Sequence, residues 1–227
     1  MIVSKIAYKN VSVEIEENVY EPAEDTFLLA DCTVSVLSEF IKQKDKNDLK
    51  GLEVGCGSGF VSKFAEHYIP ALQMIGLDIN PNAVLCTCGN GIRAYRSDMF
   101  DIFDNKKDGT VLEAALESKL GLEKPAEGFD VILFNPPYLP TSADEKIDGW
   151  INYAFDGGPS GRESIDRFLA SAGNYLTEGG IILMLISSLT GIEEVSGEFE
   201  KNGFFAEPVG ETKIDFEKLF VLKGKRI

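Results

Sequence analysis

Residues 52–60 read LEVGCGSGF, and this stretch decides the fold. An apolar strand pattern ends at Val54, three glycines follow at alternate positions, and a helical pattern begins near residue 58. Glycines allow a tight turn with positive φ and let a ligand approach the backbone, while the helix start presents free N–H groups. The GxGxG spacing differs from the GxGxxG of many dinucleotide-binding folds. The stretch therefore predicts a strand, a ligand-binding loop and a helix.

Strand and helix patterns alternate along most of the chain. Apolar runs typical of buried strands cover Leu49–Val54, Gln73–Leu77, Ala94–Ser97, Phe129–Phe134 and Ile181–Ile186. Helical spacing is found near residues 58–69, 81–91, 161–176 and 191–202. This α/β alternation predicts a parallel sheet with helices on both faces. Two consecutive strand patterns at the C-terminal end predict an antiparallel pair that closes the sheet at its edge.

Residues 1–48 precede this alternation. Within them, residues 2–8 and 11–15 predict a hairpin, and residues 23–43 predict a helix that begins after Pro22. Residues 104–128 are longer than an ordinary connection and predict an insertion with a helical middle at 111–120. The whole length, residues 1–227, fits one α/β domain.

The chain carries a formal net charge of -15, from 37 acidic and 22 basic residues. An acidic surface repels phosphate backbones at long range, so the composition disfavours direct binding of DNA or RNA. It favours basic protein partners or small molecules, and it also serves solubility. Charge alone does not separate these alternatives.

Two absences in the sequence narrow the class of protein. No apolar run approaches the roughly 20 residues that span a bilayer, and residues 1–16 lack the pattern of a signal peptide. We therefore expect a cytoplasmic protein without a membrane span. The four cysteines and the single His67 do not have the spacing of a zinc site, so we expect no bound metal.

An acidic residue ends the strand pattern that follows the glycine loop. In GLDIN (76–80), Asp78 lies 23 residues after Gly55, where a carboxylate can accept hydrogen bonds from both ribose hydroxyls. The alternative role for such a residue is to cap the next helix, and that role suits Asn80 better. We therefore expect Asp78 to bind a ribose.

A second acidic residue follows the third strand of the alternation. In RSDMF (96–100), Asp98 and the backbone of Met99 are placed to bind the amine of an adenine. Taken alone, Asp98 would be only a loop aspartate. Together, the three loops predict a nucleoside site at the carboxyl ends of adjacent strands.

The chain presents an Asn-Pro-Pro-Tyr sequence directly after the fourth strand, within ILFNPPYLP (132–140). Two adjacent prolines cannot continue the strand, and they hold the backbone extended. The side-chain oxygen of Asn135 and the carbonyl oxygen of Pro136 then form two acceptors at a fixed separation, and Tyr138 can pack on a flat group. Such a clamp binds both hydrogens of a planar NH₂ group. The alternative is a turn that only ends the strand.

A planar amide or aromatic amine nitrogen is a poor nucleophile because its lone pair is delocalised. Hydrogen bonds from its two N–H groups favour a pyramidal nitrogen and stabilise positive charge as it attacks an electrophile. Positioning supplies much of the remaining rate. The clamp therefore predicts group transfer to an NH₂ group with no His or Lys as general base.

Two further motifs flank these loops. VYEPAEDTFLLAD (19–31) has the features of an ordinary helix start, with a proline and acidic residues, but this interpretation leaves Tyr20 and Thr26 unexplained. FDGGPSGRESIDRF (155–168) is either a Gly-rich lid ahead of a helix or a flexible connection.

As a set, the motifs resemble those of class I S-adenosylmethionine-dependent methyltransferases, and more narrowly the HemK-type glutamine methyltransferases of translation release factors. LEVGCGSG, GLDINPNA, RSDMF and FNPPY match that family in order and spacing, while VYEPAEDTFLL and GGPSGRESIDRF resemble its eukaryotic and archaeal branch. The resemblance covers almost the whole chain. It implies a Rossmann-like fold: a mostly parallel seven-stranded sheet with an antiparallel C-terminal edge strand, plus a short N-terminal hairpin and helix.

The resemblance also implies a reaction and its residues. The reaction is methyl transfer from S-adenosylmethionine to the side-chain amide nitrogen of the glutamine in a Gly-Gly-Gln loop of a class 1 release factor. The implied catalytic residues are Asn135, Pro136, Pro137 and Tyr138. The implied cofactor residues are Tyr20, Pro22, Thr26, Glu53, Gly55, Gly57, Gly59, Asp78, Ile79, Asp98, Met99 and Asn135. The implied substrate residues are Asn135, Pro136, Tyr138 and Phe155, the last at a position that we expect to be aromatic.

A protein partner is implied as well. Members of this branch work with a small zinc-binding activator protein that adds a strand to the sheet and covers an apolar surface. We expect AYRSDMF (94–100) to form part of an exposed strand edge for such a partner.

Two other functions stay open at this point. The clamp also suits an adenine amine in DNA or another nucleic acid, although the acidic charge and the lack of a basic stripe oppose this function. The chain could instead be a cofactor-binding subunit without catalysis, against which the intact clamp argues. A neutral lysine amine is already nucleophilic and does not need the clamp.

Overall fold

A seven-stranded sheet with helices on both faces is the framework of the protein. The computed structural model describes residues 1–44, 47–104, 125, 127–142 and 149–227. The strands are β1 (Ile2–Tyr8), β2 (Val11–Glu16), β3 (Leu49–Val54), β4 (Leu72–Asp78), β5 (Arg93–Arg96), β6 (Phe129–Phe134), β7 (Leu176–Ser187), β8 (Phe204–Ile214) and β9 (Glu217–Arg226). The helices are α1 (Glu24–Lys44), α2 (Phe60–Tyr68), α3 (Pro81–Gly89), α4 (Glu163–Ala172) and α5 (Ile192–Lys201), with 3-10 helices at Trp150–Ala154 and Gly173–Tyr175.

The strand order of the sheet is β5-β4-β3-β6-β7-β9-β8. Neighbouring strands from β5 to β7 are parallel, and β9 is antiparallel to both β7 and β8. This confirms the predicted fold class, with its mostly parallel sheet and antiparallel C-terminal pair. The antiparallel strand β9 lies second from the edge, and β8 forms the edge itself.

Two hydrophobic cores cover the two faces of the sheet, and the strands contribute to both by alternation. In β6, Val131 and Leu133 join the core beneath α1 and α2, whereas Ile132 and Phe134 join the core beneath α4 and α5. Side chains of a strand point to opposite faces in turn, so a strand buried on both sides reads as a continuous apolar run. This explains why FDVILF was recognisable as a central strand.

The N-terminal hairpin of β1 and β2 confirms the strands predicted at residues 2–8 and 11–15. Its β2 side chains, Val11, Val13 and Ile15, are buried in the core that α1 and α2 share. The hairpin and α1 therefore add cover to one face of the sheet. The predicted helix at 111–120 and nearly all of the 104–128 insertion lie outside the described residues.

The register of the parallel strands aligns their carboxyl ends. Val54 of β3 pairs with Leu77 of β4 on one side and with Phe134 of β6 on the other. The residues next along the chain from these three paired positions are therefore spatial neighbours: Gly55, Asp78 and Asn135. Strand order also reverses at β3, and ligand sites of open α/β sheets lie at such a point.

No helix in the described ranges combines the length and the apolarity that a bilayer crossing needs.

Gly59 has a structural role at the start of α2. Its φ is 76°, and a Cβ atom added there would lie 2.8 Å from Cγ2 of Thr87 in α3. Gly57 also has a positive φ, 55°, but an added Cβ would meet nothing within 4 Å. Gly59 therefore allows α2 and α3 to pack closely, whereas Gly57 has open space beside it among the described residues.

This difference predicts unequal costs for two alanine substitutions. Gly57→Ala adds only the strain of a left-handed backbone and should lower the free energy of unfolding by about 1 kcal/mol. Gly59→Ala adds a clash with Thr87 to the same strain and should lower it by about 3 kcal/mol. Urea unfolding followed by circular dichroism measures both values. Equal losses would show that the contact with Thr87 does not constrain this position.

Candidate active site

A cavity of about 550 Å³ lies at the carboxyl ends of the parallel strands. Of the predicted site residues, all but Gly59 line it: Tyr20, Pro22, Thr26, Glu53, Gly55, Gly57, Asp78, Ile79, Asp98, Met99, Asn135, Pro136, Pro137, Tyr138 and Phe155. Gly59 packs instead against Thr87, behind the glycine loop. The structure thus brings together residues from six separate motifs, and their individual binding roles stay predictions.

The glycine loop and Asp78 form one hydrogen-bonded unit. Gly57 N–H donates to Oδ2 of Asp78 at 2.9 Å, and Asn80 N–H donates to Oδ1 at 2.8 Å. Burial raises the pKa of Asp78 to about 6, although these backbone donors oppose the shift. Asn80 is the helix cap, because its side chain accepts from Asn82 N–H. The expected division of roles between Asp78 and Asn80 is therefore compatible with the geometry.

Glu53 is a buried carboxyl group beside this loop, with 3% of its surface exposed. Its Oε2 accepts hydrogen bonds from the backbone N–H, at 3.0 Å, and from the hydroxyl of Ser62 in α2. Burial outweighs these bonds and raises the pKa of Glu53 to about 8. At neutral pH the Glu53 carboxyl group of the apo protein is therefore mostly protonated.

Asp98 has a partner that the sequence did not predict. Nη2 of Arg167, on α4, donates to its Oδ2 at 2.9 Å, and both side chains line the cavity and are partly exposed. The ion pair joins the loop after β5 to helix α4. An adenine amine at this position would share the Asp98 carboxylate with Arg167.

The amide of Asn135 is held by a buried carboxylate. Nδ2 of Asn135 donates to Oδ2 of Asp25 at 3.0 Å. Oδ1 of Asn135 is buried and, within the described residues, has no hydrogen-bond partner. A buried acceptor without a donor costs roughly 1–3 kcal/mol, so such atoms are rare outside functional sites. Oδ1 of Asn135 can therefore accept a hydrogen bond from a ligand in the cavity.

Asp25 is a cavity residue that was not predicted from the sequence, in which it stands only among the acidic residues of a helix start. It is 5% exposed and lines the cavity. Tyr20 Oη donates to its Oδ2 at 3.1 Å, and Thr26 donates to its Oδ1 from N–H at 2.6 Å and from Oγ1 at 3.1 Å. One signal was available in the sequence: the apolar Leu29 lies four residues after Asp25, and such a pair shares a helix face.

The Gly-rich segment after Phe155 supports the backbone of the clamp. Gly157 N–H donates to the carbonyl of Leu139 at 3.2 Å, and Ser164 Oγ donates to the carbonyl of Pro137 at 3.3 Å. A Cβ atom on Gly161 would lie 2.5 Å from the carbonyl oxygen of Tyr138, and one on Gly157 would lie 2.7 Å from that of Leu139. Glycines are needed for this close approach, so the segment is a support rather than a loose connection.

Aromatic side chains line the outer part of the cavity. Phe155 lies edge-on to Tyr20 with ring centroids 5.6 Å apart, and 37% of Phe155 is exposed. Trp150 and Tyr153 also line the cavity and were not predicted, although Trp150 is the only tryptophan of the chain. Burial raises the pKa of both Tyr20 and Tyr138 above the usual value, so these phenols keep their protons.

The arrangement suits binding and positioning chemistry. It offers carboxylates, backbone amides and glycine turns on one side, and a buried amide acceptor with aromatic neighbours on the other. Within the described residues, no three His, Cys, Asp or Glu side chains group as metal ligands.

The chain is similar to named proteins over nearly all of its length. It is 39% identical to MJ0928 of Methanocaldococcus jannaschii, an inferred protein N5-glutamine methyltransferase, over 228 residues that cover 98% of this chain and 99% of that one. It is 32% identical to the methyltransferase HEMK2 of Mus musculus over 197 residues, which cover 86% and 84% of the two chains. No protein-family model matches the chain.

Among solved structures, the E. cuniculi Mtq2-Trm112 complex, which methylates the eRF1 termination factor, contains a similar chain. The TM-score is 0.60 at 24% identity, with 92% of this chain and 99% of that chain covered. At this identity the likeness supports the fold. The two relatives at 39% and 32% identity carry the family assignment. They show that the chain belongs to the HemK-type family of protein glutamine methyltransferases.

Proposed function

We propose that this chain transfers a methyl group from S-adenosylmethionine to the side-chain amide nitrogen of the glutamine in a Gly-Gly-Gln loop of a class 1 translation release factor. We place this reaction in the cytoplasm, where such factors act. Membership of the glutamine methyltransferase family supports the reaction class. The named action of the E. cuniculi complex on eRF1 supports the choice of substrate.

One observation carries the proposal: among the residues that the structure describes, no donor reaches the buried Oδ1 of Asn135, while Nδ2 of the same amide donates to Asp25. An oxygen in this state accepts a hydrogen from an incoming N–H group. The next carbonyl, that of Pro136, follows on a backbone that two prolines keep extended. A primary amide supplies two N–H groups in one plane, which matches two adjacent acceptors.

The residues present fit S-adenosylmethionine. A Cβ on Gly57 would meet no atom of the described residues within 4 Å, so the glycine loop leaves space for a ligand against its backbone. Glu53 and Asp78 supply carboxyl groups, and Asp98 with Met99 form the wall beyond Asp78. When bound, S-adenosylmethionine supplies an electrophilic methyl group on a positively charged sulfur. The cavity thus offers acidic groups to a cation and apolar contacts to a nucleoside.

The clamp acts on the glutamine amide itself. Hydrogen bonds from the amide N–H groups to Asn135 and Pro136 fix the nitrogen and stabilise the positive charge that develops on it during attack. Tyr138 is half-buried beside them and is placed to contact the flat amide. Because the buried site excludes water around Asn135, these bonds are stronger than they would be in solution.

The proton balance requires no strong base. A methylated amide nitrogen that still carries two hydrogens is positively charged and strongly acidic. The nitrogen gains the methyl group as the S–CH₃ bond breaks, and it then releases one proton to water, so the product is a neutral secondary amide. The raised pKa values of Tyr20 and Tyr138 exclude these phenols as bases at neutral pH.

The proposal is tested by incubating the purified chain with methyl-labelled S-adenosylmethionine and three acceptors: a class 1 release factor, its Gln→Ala loop variant, and DNA. We expect label only on the unaltered release factor. The candidate partner protein is added in a parallel series. Label on DNA, or equal label on the Gln→Ala variant, would contradict the proposed substrate.

Asn135→Ala removes the acceptor that carries the proposal. We expect the turnover number to fall by roughly 100- to 1,000-fold, as when one hydrogen-bonding group of a transition-state site is lost. Circular dichroism should show an unchanged fold. Calorimetry with S-adenosylhomocysteine should show that the variant still binds nucleoside. Near-normal turnover would mean that the clamp mechanism is wrong.

Glu53 gives the apo protein a distinctive dependence of stability on pH. Its pKa is about 8 in the folded chain and has its ordinary value of 4.5 when unfolded. Between these values the folded state binds one more proton than the unfolded state. The free energy of unfolding therefore falls as pH rises from about 5 to 8, by up to about 1.4 kcal/mol per pH unit from this group.

Glu53→Gln should remove this contribution and flatten the curve between pH 6 and 8, because the raised pKa of Asp78, about 6, contributes its own slope only below that range. Urea unfolding at intervals of half a pH unit measures it. Glu198→Gln is the matched control, because interaction with Lys201 lowers the pKa of Glu198 and places its effect below pH 4.5. If the Glu53 variant kept the full slope of the unaltered chain, burial would not perturb this carboxyl as described.

The edge of the sheet supports a further element of the proposal, a small zinc-binding partner protein. Within the described residues, β5 pairs with β4 alone, so its other side is an open strand edge. Beside it on α3, Leu85 is 50% exposed and Cys88 is exposed. An open strand edge next to an exposed apolar side chain suits addition of a strand from a partner.

Leu85→Asp should weaken binding of the partner at least 10-fold, because it places a charge in the apolar part of the interface. Leu189→Asp is the matched control: Leu189 is 54% exposed but follows β7, in the other half of the sheet. Affinity is measured by calorimetry, and thermal unfolding of each variant alone should be unchanged. Equal loss of affinity in both variants, or in neither, would argue against an interface at β5.

A further inference from the structure

The clamp has an orientation requirement that Asn135 alone does not meet. The two ends of an asparagine amide have nearly the same shape, but Oδ1 accepts a hydrogen bond and Nδ2 donates one. Only Oδ1 can bind an N–H group of the substrate. With the amide reversed, Nδ2 would face the substrate nitrogen, and two donors would oppose each other. Some other group must therefore select one orientation.

We infer that Asp25 is the positioning residue that selects the catalytic orientation of Asn135, an inference that rests on the proposed function. Oδ2 of Asp25 lies 3.0 Å from Nδ2 of Asn135. A carboxylate can only accept at this position, so the reversed amide would place its oxygen against another acceptor. The substrate-facing position is left to Oδ1, which is buried and has no partner among the described residues.

Asp25 is itself held as an acceptor on both oxygens. Tyr20 Oη and Asn135 Nδ2 donate to Oδ2, while Thr26 donates twice to Oδ1. Four donors thus surround a side chain that is 5% exposed. Asp25 also lies in the first turn of α1, where the helix dipole favours negative charge. This network explains the two residues that a plain helix start left unexplained, Tyr20 and Thr26.

The same bond has an electrostatic effect on the reaction. A negative charge next to Nδ2 polarises the amide of Asn135 and increases the negative charge on Oδ1. Hydrogen bonds that are linked in this way strengthen one another in a buried site. Positive charge develops on the substrate nitrogen only during attack, so the stronger acceptor favours the transition state over the bound substrate.

The geometry also explains why position 135 carries an amide rather than a carboxylate. Asn135→Asp would put two carboxylates in contact in a buried site, and like charges so placed are strongly unfavourable. A double variant in which the two residues are exchanged again places one amide next to one carboxylate. In Asp25→Asn with Asn135→Asp, the new amide donates to the new carboxylate, whose second oxygen still faces the substrate.

Asp25→Asn tests the inference, because it keeps the size of the side chain and removes its charge. The turnover number on the release factor should fall by roughly 100-fold or more, while the KM for S-adenosylmethionine and the thermal unfolding temperature change little. Asp31→Asn is the matched control: Asp31 is also on α1 and binds Tyr8 and Lys9, outside the cavity lining. It should keep the turnover of the unaltered chain.

The double exchange should recover at least 10-fold of the turnover that Asp25→Asn loses, whereas Asn135→Asp alone should be as inactive as Asn135→Ala. A purely structural role for Asp25 would give no such recovery. Turnover of Asp25→Asn within threefold of the unaltered chain would overturn the inference, and so would a double exchange no more active than either single variant.

A second readout does not depend on activity. The side-chain NH₂ signals of Asn135 in a ¹⁵N correlation spectrum, identified by their loss in Asn135→Asp, should shift in Asp25→Asn and stay unchanged in Asp31→Asn. Unshifted signals in Asp25→Asn would overturn the inference even if turnover fell. If the unaltered chain gave no label on release factor, the proposed substrate would fail, while the spectrum would still decide whether Asp25 holds the amide.

Discussion

The parallel register of β3 with β4 and β6 is the constraint on which the site depends. Because Val54 pairs with both Leu77 and Phe134, the three loops that follow must begin side by side. The glycine turn, Asp78 and Asn135 thus meet without any long loop having to fold back. A shift of one residue in either pairing would also exchange the two faces of the strand, so that side chains shaped for one core would lie in the other. Packing of the two cores therefore fixes the position of the chemical groups.

The parts of the protein with local signatures could be predicted from sequence. Buried strands read as apolar runs, glycines and prolines marked the loops, and parallel strands place such loops at one end of a sheet. This is why nearly every predicted site residue lines one cavity. The start of β7 was not predicted, because Thr177 to Gly180 have turn-like composition although they extend a strand from Leu176.

The features of the site that were not predicted depend on contacts between residues far apart in sequence. Asp25 and Asn135 are separated by 110 positions, and Arg167 and Asp98 by 69. No periodicity or spacing reports such pairs. Gly59 shows the opposite error: the glycine motif pointed to a ligand, whereas its neighbour is Thr87 of a packed helix. A motif indicates that a glycine is needed, but it does not show whether a ligand or a neighbouring side chain occupies the space next to that glycine.

The support of the clamp by Gly157 and Gly161 makes two segments of the chain depend on each other structurally. The carbonyls of Leu139 and Tyr138 occupy the space that side chains at these two positions would need. Substitution of either glycine would move the loop that carries Asn135. The Asn-Pro-Pro-Tyr sequence and the Gly-rich sequence are thus one structural unit. An engineer who wished to graft the clamp onto another scaffold would have to transfer both segments, with the distance between them, rather than four residues alone.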